Sequence, residues 1–179
     1  WKVDTDQKAD IILVSHSHFD HFSQEDIHKL SKNDTVIVTV PELQNNISEN
    51  SVILVPGQST EIDGVKITAI PAYNKNKDYH QKSKNWLGFV VEVDGESLYY
   101  AGDTDIIPEM EELENIDVAL LPVGGTYTMT AKEAAEAAER ISPGVAVPYH
   151  YGDIVGSKSD ALKFEKFFSG KTEILTKTN

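Results

Sequence analysis

Cysteine is absent from this 179-residue chain, which excludes a disulfide framework and any thiolate metal site. A metal bound here has only nitrogen and oxygen to hold it. Positive charge is scarce as well: 16 Lys and Arg stand against 29 Asp and Glu, a formal net charge of −13. Such a surface repels phosphate backbones, so no nucleic-acid partner is expected. No run approaches the roughly 18 apolar residues that a membrane helix needs, and no secretory leader is evident. The expectation is a soluble, cytoplasmic protein with no membrane partner. The chain opens abruptly at Trp1-Lys2-Val3-Asp4, which suggests an incomplete amino end.

What is present is ordinary in bulk and unusual in one place. Hydrophobic residues at 40% and charged residues at 25% fit a globular protein, most simply one domain over residues 1–179. The unusual place is His16-Ser17-His18-Phe19-Asp20-His21, directly after the apolar run Ile11-Ile12-Leu13-Val14. Three of the six histidines and a carboxylate fall within this stretch. Turn chemistry has no use for three histidines, whereas imidazole and carboxylate together suit zinc, iron(II) or manganese. In extended backbone an i, i+2 histidine pair points both rings to one side. Asp20 and His21 then serve a second position nearby.

Periodicity places the other elements. Residues 9–15 read as a buried strand without helical period, and 23–32 as a short helix opened by Ser23 with acids in its first turn. Strands are expected at 36–40 and 51–55, with one or two helical turns at 42–47 between them. Strand, helix, strand in this order implies parallel pairing with crossovers. Asp63-Gly64 and Asp94-Gly95 are hairpin dipeptides between alternating apolar residues. The polar stretch 73–85 between those hairpins is too long for a simple connection and reads as a functional loop. A helical start at Pro108 leads to a strand at 117–123. Thr130-Ala131-Lys132-Glu133 is a capping box heading a helix to about residue 141. A strand at 145–148, a helix at 159–168 stopped by Gly170, and a last strand at 172–175 complete two sheets with helices outside.

Further polar candidates sit where strands end, the place where binding loops converge in α/β architectures. Asp103 lies in Gly102-Asp103-Thr104-Asp105 and His150 in Tyr149-His150-Tyr151-Gly152. Each has a plain reading of its own, a turn residue for Asp103 and a structural histidine for His150. Asp105 either supports the turn or hydrogen-bonds a ligand histidine. His28 reads as a surface residue of the first helix. Lys75, Lys77, Lys82 and Lys84 fall within ten positions of the 73–85 loop, a local reversal of sign that reads as a lid for an anionic small molecule. The Gly124-Gly125 connection allows close backbone approach, and Tyr127 beside it is a candidate substrate contact.

His-x-His-x-Asp-His after a strand, a later Gly-Asp-Thr and a strand-end histidine resemble the metallo-β-lactamase superfamily. The likeness is strongest to its small metal-dependent hydrolase branch, which includes ascorbate-phosphate lactonase-like proteins, and it covers residues 9–152. The resemblance implies an α/β fold, an αββα four-layer sandwich, here lacking part of its amino-terminal sheet. It implies two divalent ions, zinc first with manganese or iron as alternatives. His16 and His18 would hold the first, Asp20, His21 and His150 the second, and Asp103 would bridge. The implied reaction is attack of metal-bound hydroxide on a lactone, ester or related bond of a small, anionic substrate, with Asp20 and His21 as catalytic residues. A homo-oligomer is compatible with it.

One family feature is missing. The third histidine of the first ion is expected where Pro71-Ala72-Tyr73-Asn74 stands. Either His80, six residues on, folds back as ligand, or Asn74 stands in weakly. Asn74, Lys75, Lys77 and Tyr127 are the substrate-side candidates. The rival readings are a phosphodiesterase or nuclease of the same fold and a non-catalytic metal-binding protein.

Overall fold

Three short branched runs pair in parallel: β1 (Ile11–Leu13), β2 (Val36–Thr39) and β3 (Ser51–Ile53), in the order β1-β2-β3. The structure is a computed structural model describing residues 5–47 and 50–176, so the opening at residues 1–4 lies outside it. All three residues of β1 are only half-buried, less than the sequence suggested, because among the described residues β1 is an edge strand. Val14, Ser15 and His16, just past its end, are buried. Helix α1 (Gln24–Leu30) connects β1 to β2, its first turn capped by the Ser23 hydroxyl accepting from the Asp26 amide. Residues expected as helical turns at 42–47 form a 3₁₀ turn at Pro41–Leu43.

The second sheet has six strands in sequence order: β4 (Ser59–Ile62), β5 (Val65–Pro71), β6 (Leu87–Val93), β7 (Glu96–Tyr100), β8 (Val118–Pro122) and β9 (Val145–Tyr149). Both hairpin dipeptides turn as expected, with φ of +50° and +82° at Asp63-Gly64 and +53° and +83° at Asp94-Gly95. Two positive φ values give the mirror-image turn that matches strand twist. From β7 onward the pairing is parallel, so β5, β7, β8 and β9 run the same way and only β4 and β6 oppose them. The carboxyl ends of β5, β7 and β9 therefore share one edge.

Alternation decides which face each strand buries. Val65, Ile67 and Ala69 of β5 and Leu87, Phe89 and Val91 of β6 meet Ile37, Val38 and Leu54 in the core between the sheets, to which α1 adds Ile27. Val90, Tyr99, Ala119 and Leu121 face the other way, onto the alanine stripe of α2 (Ala131–Ile141) and Phe164 of α3 (Lys158–Phe167). The capping box at Thr130 and Glu133 forms as the sequence indicates. The last expected strand does not: 172–175 contributes a single bridge, Thr172 beside Ala146. Its β-branched residues find one register position on β9 and no further partner.

The two sheets are stitched at the site edge, where the Leu87 amide donates to the Ser15 carbonyl at 3.0 Å, while the Ala72 amide, donating to the Trp86 carbonyl at 2.9 Å, extends the β5–β6 ladder beside it. Gly102 belongs to this seam. Its φ is +65°, and a Cβ there would lie 2.5 Å from the Leu87 carbonyl oxygen. The Leu87 backbone is paired in the sheet and cannot give way, and the Ala72 methyl at 3.3 Å adds to the crowding, so Gly102→Ala is expected to cost about 3 kcal/mol. Chemical denaturation measures it, and a loss below about 0.5 kcal/mol would show that the seam yields.

Candidate metal centre

Four chain segments meet at the shared edge. The residues after β1 supply His16, His18, Asp20 and His21; the loop after β5 supplies His80; the turn after β7 supplies Asp103; and the first residue past β9 is His150. His16, His18 and His80 offer ligand atoms within 4.8 Å of one another. So do His16, His21 and Asp103, and Asp20, His21 and His150. Asp103 stands between the groups. Its Oδ2 lies 3.2 Å from His80 Nε2 and 3.3 Å from His150 Nε2, while Oδ1 lies 3.3 Å from His21 Nε2. Asp20 Oδ2 approaches His150 Nε2 at 3.4 Å and His21 Nε2 at 3.6 Å. His150 takes a left-handed φ of +58° to reach this position, unusual for a residue with a side chain. His28 is exposed on α1, away from the cluster.

The donors fit a metal. The Nε2 atoms of His16, His21, His80 and His150 and Asp103 Oδ1 are buried and, though close together, make no hydrogen bonds among the described residues. Buried polar atoms are rarely left so, and all five converge. Nitrogen and carboxylate oxygen in this ratio suit zinc, iron(II) or manganese.

The side chains behind the ligands set their orientation. The Ser15 hydroxyl meets His16 Nδ1 at 3.0 Å, and Tyr100 OH meets His21 Nδ1 at 3.3 Å. Trp86 lies against both His16 and His18 with ring centroids 4.7 Å apart, its indole N–H held by Glu42 at 2.7 Å. These three supporting residues carry only weak sequence signals: Ser15 adjoins the motif, while Trp86 and Tyr100 flank strand ends.

His80 is brought back by Asn74. The Asn74 amide N–H donates to the His80 carbonyl at 2.7 Å, and Asn74 Oδ1 accepts from the His80 backbone N–H at 3.0 Å. The same Oδ1 meets His80 Nδ1 at 2.9 Å. Asn74 Nδ2 donates to Asp105 Oδ1 at 3.1 Å and to the Tyr127 carbonyl at 2.9 Å. Both acceptors lack protons, which fixes the amide orientation and makes His80 Nδ1 the donor. In the neutral ring this leaves Nε2, the nitrogen on the Asp103 side, as the one free to ligate. Asn74 is thus buried and fully engaged, neither a stand-in ligand nor a substrate contact.

Asp105 holds this loop instead of supporting a histidine directly. It accepts from the Lys75 amide at 2.9 Å and pairs with Lys77 at 2.6 Å. Lys77 turns inward, donating also to the Thr128 carbonyl at 2.7 Å. Lys82 pairs with Glu109 at 2.9 Å and Lys84 with Glu42 at 3.2 Å. Three of the four loop lysines are therefore matched by carboxylates, and Lys77 is spent on the fold. Lys75 is exposed. The Gly124-Gly125 connection closes on itself through the Gly125 amide and Met129 carbonyl, so the α2 amino end is occupied by its own cap.

Burial, followed by the electrostatic effect of the neighbouring His21 ring, lowers the pKa of His16 to about 2; His18 is lowered chiefly by burial too. Burial pushes Asp103 up, but the surrounding imidazoles of His150, His21 and His80 outweigh it and hold the carboxyl well below its usual range. For His150 burial acts downward and is overcome by Asp103 and Asp20, which raise it. A histidine buried neutral stabilises above its unfolded pKa and costs stability as pH falls towards its folded one. His150 acts oppositely, since its contribution is present in acid and lost as pH rises. With His16 and His18 both depressed, the chelator-treated protein is expected to lose stability below about pH 6.5, approaching about 1.4 kcal/mol per pH unit from His16. Melting scans from pH 7.5 to 5.0 test this against His16→Asn. An equally steep slope in that variant would contradict a neutral His16.

A profile of the β-lactamase superfamily domain matches residues 2–150. The chain is 37% identical over 180 residues to the UPF0173 metal-dependent hydrolase of Thermococcus onnurineus, spanning 94% of this chain and 78% of that protein. A solved protein of Parabacteroides distasonis, also 37% identical, superposes with a TM-score of 0.81 over 93% of this chain and 76% of its own. The metallo-β-lactamase fold protein YhfI of Bacillus subtilis, at 15% identity, shares the fold with a TM-score of 0.73 over 93% and 73%.

Proposed function

This chain belongs to the β-lactamase superfamily, and on that premise we propose that it opens a lactone, ester or related bond of a small molecule at a two-ion centre. It has the metallo-β-lactamase fold, as the sequence resemblance implied, and is a metal-dependent hydrolase. The observation that carries the finer reading is Asp103, whose carboxylate lies within 3.3 Å of His80 from one group and of His21 and His150 from the other. In this reading residues 1–179 act as one domain. His16, His18 and His80 would hold one ion, Asp20, His21 and His150 the other, and Asp103 would be shared. Zinc is the first choice for such donors, with manganese or iron as alternatives.

Divalent ions supply there a bound water with its pKa lowered towards neutrality and a Lewis acid for the scissile oxygen. The chain's own residues do the rest. Asp20 lines the cavities on either side of the cluster and is placed to take up and orient a proton of the attacking water. His21, steadied by Tyr100, keeps Asp20 in register. Trp86 seals the inner face of His16 and His18 from solvent.

Metal analysis of the purified protein, with a screen over lactones, bis-(p-nitrophenyl) phosphate and thioesters, tests the reading. Two ions per chain with lactone or ester turnover are expected. Turnover of the phosphodiester alone would assign the site to phosphodiester chemistry. Less than one tightly bound ion would end the two-ion reading.

A further inference from the structure

The cavity above the ligand groups holds about 290 Å³. Its floor is His18, Asp20, His80 and Asp103, and its walls are Phe19, Tyr79, Tyr127 and Ile154. Three of these walls are among the more exposed large apolar side chains of the protein: Phe19 at 79%, Tyr79 at 51% and Ile154 at 42%. Scattered surface hydrophobics need no explanation, but these come from three separate segments of a chain with net charge −13 and surround one opening. Tyr79 and Tyr127 meet edge to face, ring centroids 4.7 Å apart, leaving ring faces and edges available to a flat guest.

Among the described residues no lysine or arginine lines this cavity, and the loop lysines at 77, 82 and 84 are paired with Asp105, Glu109 and Glu42. The walls therefore offer ring contact and no counter-charge. We propose that the non-reacting part of the substrate is an uncharged aromatic group seated among Phe19, Tyr79, Tyr127 and Ile154. This rests on the hydrolase reading above and replaces the anionic substrate expected from sequence. Selectivity then comes from the walls, while the scissile bond is oriented by the floor.

Two measurements on the ion-loaded protein test the proposal and separate it from that reading. The first compares kcat/KM for γ-phenyl-γ-butyrolactone, unsubstituted γ-butyrolactone and the γ-carboxy lactone. The phenyl compound is expected to be favoured at least about tenfold over the unsubstituted one, and Phe19→Ala and Tyr79→Ala should each cut that ratio about fivefold. The second follows binding of N-benzylacetamide and N-methylacetamide by ligand-observed NMR. Only the benzyl compound should bind, and more weakly to Tyr79→Ala. Preference for the carboxy lactone, or ratios unchanged in both variants, would overturn the aromatic seat. Lactone turnover without ring preference or benzyl binding would remove the seat and leave the hydrolase reading standing. Benzyl binding that Tyr79→Ala weakens, with no lactone or ester turned over, would keep the seat and remove that bond class.

Discussion

Asp103→Asn is expected to lower hydrolytic activity about a thousandfold or more and to abolish the rise in melting temperature that added ions produce. The side chain is 3% exposed and has three imidazoles within 3.3 Å. The imidazoles keep it ionised despite burial. Two divalent ions held by these groups would repel each other, and the Asp103 carboxylate among the donors would offset that repulsion in a medium where charges are poorly screened. Asparagine presents one neutral oxygen and one N–H₂, so it turns hydrogens either towards His21 or towards His80 and His150. Removing one partner of a buried charged cluster costs about 3–5 kcal/mol, roughly two to four orders of magnitude in ion affinity. The stability effect should depend on the ions. In chelator-treated protein the variant and the parent are expected to melt within a few degrees of each other, whereas with ions present only the parent rises, by mass action on the folded state. Calorimetry with and without chelator, beside metal analysis, reads both. Full ion content in the variant would show that Asp103 does not bridge.

Local spacing made half of this site legible. His16, His18, Asp20 and His21 need only a strand end and two residues of separation to share a side, and both conditions are visible in six letters. Asp103 and His150 are legible from topology, because the hairpin signals and the later strand–helix alternation together imply that β7 and β9 point the same way. The 73–85 loop was legible as a functional element and not in its roles. Four lysines in ten positions read as a field, but Glu42, Asp105 and Glu109, the partners of three of them, lie 27 to 42 residues away. Charge counted along a chain omits the counter-charges that folding brings up. The strand expected at 172–175 failed similarly: β-branched residues express a preference, and a strand exists only where a neighbour offers a ladder.

Asn74 is where the two kinds of information meet, and it carries the second large prediction. Read in sequence it marks a missing histidine; in the fold it is the residue that returns His80 to the vacancy. Its four side-chain hydrogen bonds reach His80 twice, Asp105 and the Tyr127 carbonyl. Asn74→Ala removes all four, which is expected to cost about 2–4 kcal/mol of stability and, by freeing the His80 ring, to weaken ion binding about 10–100-fold. Asn74→Asp separates those effects. A carboxylate still accepts from both His80 donors and raises the basicity of its Nε2, so ion affinity should be kept or improved. The same carboxylate faces Asp105 with acceptor against acceptor, relieved only in part by Lys77, so the melting temperature should fall. Competition with a metallochromic chelator and thermal melts of the three proteins measure the two quantities independently. Ion affinity that tracked stability across all three would mean that Asn74 merely holds the loop. Affinity retained in the aspartate variant while its stability drops would show that the hydrogen bond to Nδ1 is what makes His80 a ligand.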